Sequence, residues 1–230
     1  MSYVYFVPSK RLFPACFQEE FLGLELLRVE LPRRRGAVRR ILRRLERAGV
    51  TRALNLPTLP RYPEPCPRAV ATAPLYHHRA AELALWDMHR RGLTPERSVV
   101  ALRGRSWTAV IARAADALAP RVKGLSLCLD RPEAERAAAA ALLERWGVGV
   151  LHGEGDVTLC FTPADSAGGR LLLGEDRPTV EGLAWRWQGG ALPEGVPADA
   201  LLTVLEQRGR VDWAEILPES RAESEQITGN

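Results

Sequence analysis

The chain has almost no lysine. Only Lys10 and Lys123 occur, so thirty of its thirty-two basic residues are arginine. With abundant alanine and glycine, this is the signature of GC-rich codon usage, and it inflates any arginine signal. Cysteine is sparse. The four thiols, Cys16, Cys66, Cys128 and Cys160, form no C-x-x-C pair, which excludes a zinc ribbon or a dithiol redox motif. They read as buried free thiols, the last two inside apolar runs where a thiol acts as a small hydrophobe. No apolar run approaches the roughly 20 residues of a membrane span. The apolar start is broken by Pro8 and followed, not preceded, by Lys10 and Arg11, unlike a secretory signal. The expectation is a soluble, cytoplasmic protein. There is no G-x-S-x-G elbow, no phosphate loop ending in Gly-Lys-Ser/Thr, and no repeat at solenoid spacing.

The 230 residues allow one large α/β unit or two small ones, and 46% hydrophobic with 26% charged residues is ordinary for a globular chain. Charge is unevenly placed. Residues 1–100 carry 18 Lys/Arg and 9 Asp/Glu, a net +9, whereas residues 101–230 carry 14 and 19, a net −5. That split argues for a two-part organisation.

The pattern along the chain alternates. Strands are predicted at 3–7, stopped by Pro8, and at 24–31, stopped by Pro32. Ala37, Val38, Ile41, Leu42 and Leu45 recur at helical spacing over 33–48, and Gly49 ends that helix. A short strand over 52–56 completes a βαβ unit. Residues 57–74 hold six prolines and read as an extended connection, the best domain boundary. Beyond it the spacing predicts a helix over 77–91 and a strand over 98–102. Next come a helix carrying Trp107, Ile111, Ala114 and Leu118, a strand over 125–129 and an Ala-rich helix over 132–146. Strands follow at 147–151, 157–161 and 170–173, then a last helix opening at Pro197 or Asp199 and running through Gln207. Strands alternating with helices imply a mostly parallel sheet. The expected division is an Arg-rich lobe at 1–74, a larger α/β domain at 75–217 and a frayed polar tail at 218–230.

Within that pattern, Val99-Val-Ala-Leu102 is a first strand, Arg103-Gly-Arg-Ser106 stands where a glycine loop would follow, Asp130 ends a second strand, and Gly155 to Pro163 is a later strand closing in Thr162-Pro163. In these pieces residues 98–173 resemble the Rossmann-type NAD(P)-binding domain of the shikimate dehydrogenase family. The resemblance implies an α/β Rossmann-like fold and a cofactor edge built from Arg103, Gly104, Arg105, Ser106, Asp130, Thr162 and Pro163. Such a site needs glycine at three places, and one is present. If Gly104 is the first glycine, Ser106 caps the helix and Arg105 meets a phosphate. If it is the middle one, Trp107 stands where helix and sheet must approach closely. The second register puts Ile111, Ala114 and Leu118 in the buried row and is favoured, so the expectation is a retained fold without competent dinucleotide binding and without a cofactor. The alternative is an NAD(P)-dependent oxidoreductase with a divergent loop. That specific hydride chemistry finds no support in the first half, where Lys10 is the sole lysine. Asp130 reads as a helix cap, answered by Glu133 with Pro132 between, in preference to a ribose ligand.

Arg33, Arg34, Arg35, Arg39, Arg40, Arg43, Arg44 and Arg47 crowd one helix. A solvated face or partner surface is favoured there over a nucleic-acid groove, since no aromatics interleave to stack bases. His77 and His78 are adjacent and point about 100° apart on a helix, so they do not chelate one metal. His89 and His152 are isolated, and Glu82 or Asp87 would be needed to orient a histidine for acid–base work. Trp185 and Trp187 share one face of a strand. The functional expectation is binding of a small ligand or a protein partner at the strand ends, with no metal and no membrane contact.

Overall fold

The computed structural model describes residues 2–10, 13–32, 35–56, 67–151, 153–162 and 170–221. In chain order the elements are β1 (Tyr3–Ser9), β2 (Ala15–Phe21), β3 (Leu24–Pro32), α1 (Arg35–Arg47), β4 (Arg52–Ala53) and β5 (Arg68–Ala69). Then come α2 (Ala73–His78), α3 (Ala80–Arg90), β6 (Val99–Gly104), α4 (Ala109–Leu118), β7 (Gly124–Leu129) and α5 (Pro132–Trp146). The remainder are β8 (Val150–Leu151), β9 (Val157–Cys160), β10 (Arg170–Leu172), β11 (Leu183–Trp187), α6 (Ala198–Gln207) and β12 (Ile216–Ser220). Two compact units result: Met1–Ala71 with Gly189–Asp212, and Thr72–Gln188 with Trp213–Asn230.

The first unit is built on a five-stranded sheet of order β2-β3-β1-β4-β5, parallel throughout except for the antiparallel β2–β3 pair. β1 takes the centre because its β-formers Tyr3 to Phe6 are apolar on both faces, and all four are buried. Pro8 does not stop the strand; it pairs opposite Leu31 near the strand's end. Val4, Phe6 and Val29 meet Val38, Ile41, Leu42 and Leu45 of α1 in one apolar cluster, each side chain contributing about 1.5–3 kcal/mol by leaving water.

β4 is shorter than predicted for a local reason. After Ala53 the Asn55 side chain takes over the ladder, its Oδ1 accepting from Phe6 N at 2.7 Å and its Nδ2 donating to Phe6 O at 2.9 Å. β2 escaped the sequence reading because it is a polar edge strand, largely exposed, with Gln18, Glu19 and Glu20 in its middle. It joins β3 through the two-residue turn Leu22-Gly23, with φ of 50° and 73°, a geometry that matches strand twist. The Tyr5 hydroxyl donates to Glu19 Oε2 at 2.6 Å, and burial together with that carboxylate holds the phenol well above its usual range. In α6, Ala200 to Leu205 are all buried.

The second unit holds an all-parallel sheet of order β10-β9-β6-β7-β8. Counted from β6 this is the 3-2-1-4-5 order of doubly wound, Rossmann-like folds. Residues of one parity, Val100, Leu102, Leu125, Leu127, Leu129, Val157 and Leu159, line up in register and are buried. α4 packs on that face. The opposite parity carries small residues: Ala101, Ser126, Cys128, Thr158 and Cys160.

The crossing from β8 to β9 is a strap, not a helix. Ser126 Oγ donates to Gly153 O at 2.6 Å, and Gly155 lies so close to β6 that a Cβ there would stand 2.6 Å from Ala101 N and 2.7 Å from Val99 O. Asp156 then binds Val99 at both ends, its N to Val99 O and its Oδ2 to Val99 N, each 2.8 Å.

Several sequence expectations change. The helix expected over 77–91 is two helices, broken at Arg79, and Pro74 opens the first of them as an N-terminal proline should. Pro218 to Ser220, expected in the tail, lie in β12 and pair with β11. Trp185 is buried and meets Tyr76 edge-on at 5.3 Å, while Trp187 donates to Glu215 Oε2 at 2.9 Å, so their shared face is packed. Cys160 is buried and Cys128 half-buried, but Cys16 is exposed on the polar edge strand; Cys66 lies outside the described residues. Among the described residues no helix is long and apolar enough to cross a membrane.

Candidate functional site

β6 and β9 are neighbours from which the chain departs in opposite directions, toward β7 and toward β10. In an open parallel sheet, the crevice at the carboxyl ends of such a pair is where ligands bind. The register brings the predicted edge residues to this place. Gly104 ends β6 opposite Leu129, and Asp130 follows Leu129 directly. Arg103 pairs with Cys128 on one side and Cys160 on the other, and its carbonyl accepts from Phe161 N at 2.9 Å. Thr162 comes next, its carbonyl and Oγ1 each 3.6 Å from Cys160 Sγ. Pro163 lies outside the described residues.

The glycine loop has only one of the features a pyrophosphate cradle needs. Gly104 is a buried strand residue, and no residue from Gly104 to Thr108 takes a positive φ. Its missing side chain serves packing: the space a Cβ would take there is filled by Ile111 Cδ1. That is the close helix–strand approach of the motif's last glycine, without the tight turn or the backbone opening of the other two. Ile111, Ala114 and Leu118 are buried while Arg113 is exposed, the helix face expected from the register that places Trp107 after the loop. Trp107 itself is half-buried and precedes the helix. Ser106 does not cap α4, because the helix begins later; Thr108 is the N-cap, its Oγ1 accepting from Ile111 N at 3.4 Å.

Asp130 does not cap α5 either. The N-cap residue is Arg131, which makes no side-chain cap bond, and Pro132 takes the first helical position as expected. The carboxylate that reaches back belongs to Glu135, two residues further on than Glu133, and it accepts from Leu129 N at 3.1 Å. This leaves Asp130 exposed, with no side-chain partner among the described residues, and the same holds for Arg103, Arg105 and Arg131. Three unmatched guanidinium groups and one unmatched carboxylate therefore ring the tip of β6 and β7. The sequence offered Asp130 two roles, and the structural one does not materialise, because the N-cap position falls to Arg131 and carries no side-chain cap bond.

The histidines are placed otherwise. His77 Nε2 lies 2.8 Å from Leu173 O, and its ring meets Phe161 at 5.9 Å. His78 stacks on Trp213 at 4.8 Å and lies 3.0 Å from Arg113 Nη1. Burial first, then the Arg113 charge, lowers its pKa from 6.5. Neither carboxylate proposed as an orienter serves one: Asp87 is buried and holds Arg90 and Arg91, and Glu82 faces Arg79 and Arg121. His89 is exposed, and His152 is outside the described residues. Among the described residues no group of three or more His, Cys, Asp or Glu is arranged to hold a metal ion.

No protein-family model matches the chain, and no curated protein matches it either. What the chain shows is a mixed α/β architecture with a Rossmann-like parallel sheet.

Proposed function

We propose that the chain is a Rossmann-like binding protein that takes a small anionic ligand at the carboxyl edge of β6 and β7 through side chains, without competent dinucleotide binding. The observation that carries this is Ile111 pressed against Gly104. The one glycine of the loop is committed to helix packing, so no glycine remains to open backbone amides to a pyrophosphate. Arg103, Arg105 and Arg131 supply charge instead, and guanidinium forks suit phosphate or carboxylate. Ser106 and Thr162 add hydroxyls beside them.

A second reading, an NAD(P)-dependent oxidoreductase with a divergent loop, is favoured by two observations: the strand order itself, and an unengaged Asp130 after the second strand, where a carboxylate would accept ribose hydroxyls. One pair of titrations separates them. NADH and NADPH, followed by fluorescence, are expected to show no saturation below about 1 mM, a binding free energy weaker than about 4 kcal/mol. Inorganic pyrophosphate, followed by calorimetry, is expected to bind the native chain and to lose at least tenfold in affinity in Arg103→Ala/Arg105→Ala. Micromolar binding of either dinucleotide, weakened by Asp130→Asn, would replace the first reading with the second.

A further inference from the structure

Among the described residues the exposed face of α1 carries a concentration of one charge sign that the ligand edge of the other unit does not account for. The helix presents Arg40, Arg43, Arg44 and Arg47 to solvent, and none of these guanidinium groups makes an ion pair or hydrogen bond among the described residues. At ~100° per residue they fall within an arc of roughly 100°, and at ~1.5 Å per residue they rise over about 10 Å. The apolar row Val38, Ile41, Leu42 and Leu45 lies opposite and is buried.

A merely solvated face does not require this arrangement. Any mixture of charges keeps an outer face wet, and mixed charges also support the helix through i, i+4 pairs. Here the i, i+4 neighbours are like charges: Arg39 with Arg43, Arg40 with Arg44, and Arg43 with Arg47. Each such pair opposes the helix by a few tenths of a kcal/mol. The GC-rich bias explains arginine in place of lysine, but it does not explain missing acids, since the chain carries 28 Asp/Glu against 32 Lys/Arg overall while α1 has Glu46 alone. Arg44 and Arg47 gain from the dipole of the helix's last turn, but Arg40 and Arg43 gain nothing of that kind, and a local rule broken without such a return points to a functional surface.

The arc also contains Gly36, one turn before Arg40, where nothing among the described residues lies within 4 Å of an added Cβ, so no described side chain covers the stripe there. We propose that this stripe docks the phosphodiester backbone of nucleic acid without reading its sequence. Four guanidinium groups along about 10 Å match closely spaced phosphates. An anionic membrane is a poorer fit because the apolar face of α1 is consumed by the sheet and has nothing to insert. The lack of interleaved aromatics argues against base stacking and is consistent with a backbone-only contact.

The test uses the whole chain and a fluorescein-labelled 20-base-pair DNA duplex, with a single-stranded RNA of equal length as a second probe. Anisotropy is measured across a salt series. Four phosphate contacts predict a slope of log affinity against log salt near −3.6 for the duplex, about −0.9 per contact. The variant R40A/R43A/R44A/R47A is expected to lose at least tenfold at low salt and most of that slope, while R40K/R43K/R44K/R47K keeps both. Thermal melting should show the alanine variant no less stable than the native chain, so the loss is not one of folding. Failure to bind either probe at low salt, an unchanged slope in the alanine variant, or binding to phosphatidylglycerol vesicles in place of both nucleic acids would overturn the proposal. The pyrophosphate titration, which reads the other unit, is independent of this result.

Discussion

Helices α1 and α5 each lay one face on a parallel strand of their own unit and turn the other outward, yet they treat charge in opposite ways. On α5, Glu135 reaches back to Leu129 N, Arg145 binds Asp116 Oδ2 at 2.8 Å, and Trp146 Nε1 donates to the other oxygen of Asp116 at 2.8 Å. On α1, four arginines in one arc have no such partner among the described residues. The same arginine-rich composition therefore yields structural pairing in one place and an unmatched stripe in another. Partnering, and not residue count, separates them.

The two sheets beneath differ in packing as well, and the largest expected effect breaks them apart. Gly155→Ala should destabilise the second unit by about 3 kcal/mol or more, because the new methyl meets backbone atoms of β6 that cannot turn away. Gly36→Ala, in open space on α1, should stabilise by roughly 0.5 kcal/mol through helix propensity. Urea melts of both variants check the opposite signs; a neutral Gly155→Ala would mean the strap is loosely seated.

Next in size, Glu135→Gln should cost about 1 kcal/mol by weakening a charge-assisted bond to Leu129 N. Smaller still, Arg40→Glu should raise stability by a few tenths of a kcal/mol, since it replaces a repulsive i, i+4 pair with an attractive one to Arg44 in the favoured acid-first order. A loss of stability there would mean that Arg40 has a structural role and would weaken the contrast between the helices.

The subtlest expectation concerns pH. Burial and the Arg113 guanidinium lower the His78 pKa below 6.5, so the unfolded chain binds this proton more readily than the folded one. The stability contributed is present above about pH 6.5 and is lost as pH falls through that value toward the folded pKa. Melting temperature measured from about pH 7.5 down to about pH 5 should therefore fall more steeply for the native chain than for His78→Gln. Parallel curves would refute the linkage.

Much of the fold was legible because it rests on local rules. The apolar row of α1, the span of α5 from Pro132 to Trp146 and the parallel alternation after residue 98 follow from periodicity, prolines and glycine stops. Three features were not legible for identifiable reasons. β2 is polar on its exposed edge and shows no alternation. β4 stops early because a side-chain amide, Asn55, imitates a strand. Asp130 loses its cap role because α5 begins later, with Arg131 as the N-cap residue, and the reach-back expected of Glu133 is made by Glu135, a choice between two acids on one turn that only geometry decides. At the candidate site, the strand ends that carry Arg103 to Ser106, Asp130 and Thr162 were legible from the alternation of strands and helices, but that Ile111 fills the space beside Gly104 depends on how deeply Ile111 sits, which no spacing rule states.

The strap between β8 and β9 has one more implication. From Leu151 to Val157 is six peptide steps, a reach of about 20 Å when taut, and the two strands stand three spacings apart, about 14 Å. Less than two residues' worth of slack remains. Deleting two residues from this link would use up that slack and pull β9 out of register, whereas lengthening it would not, so insertions here should be tolerated better than deletions of the same size.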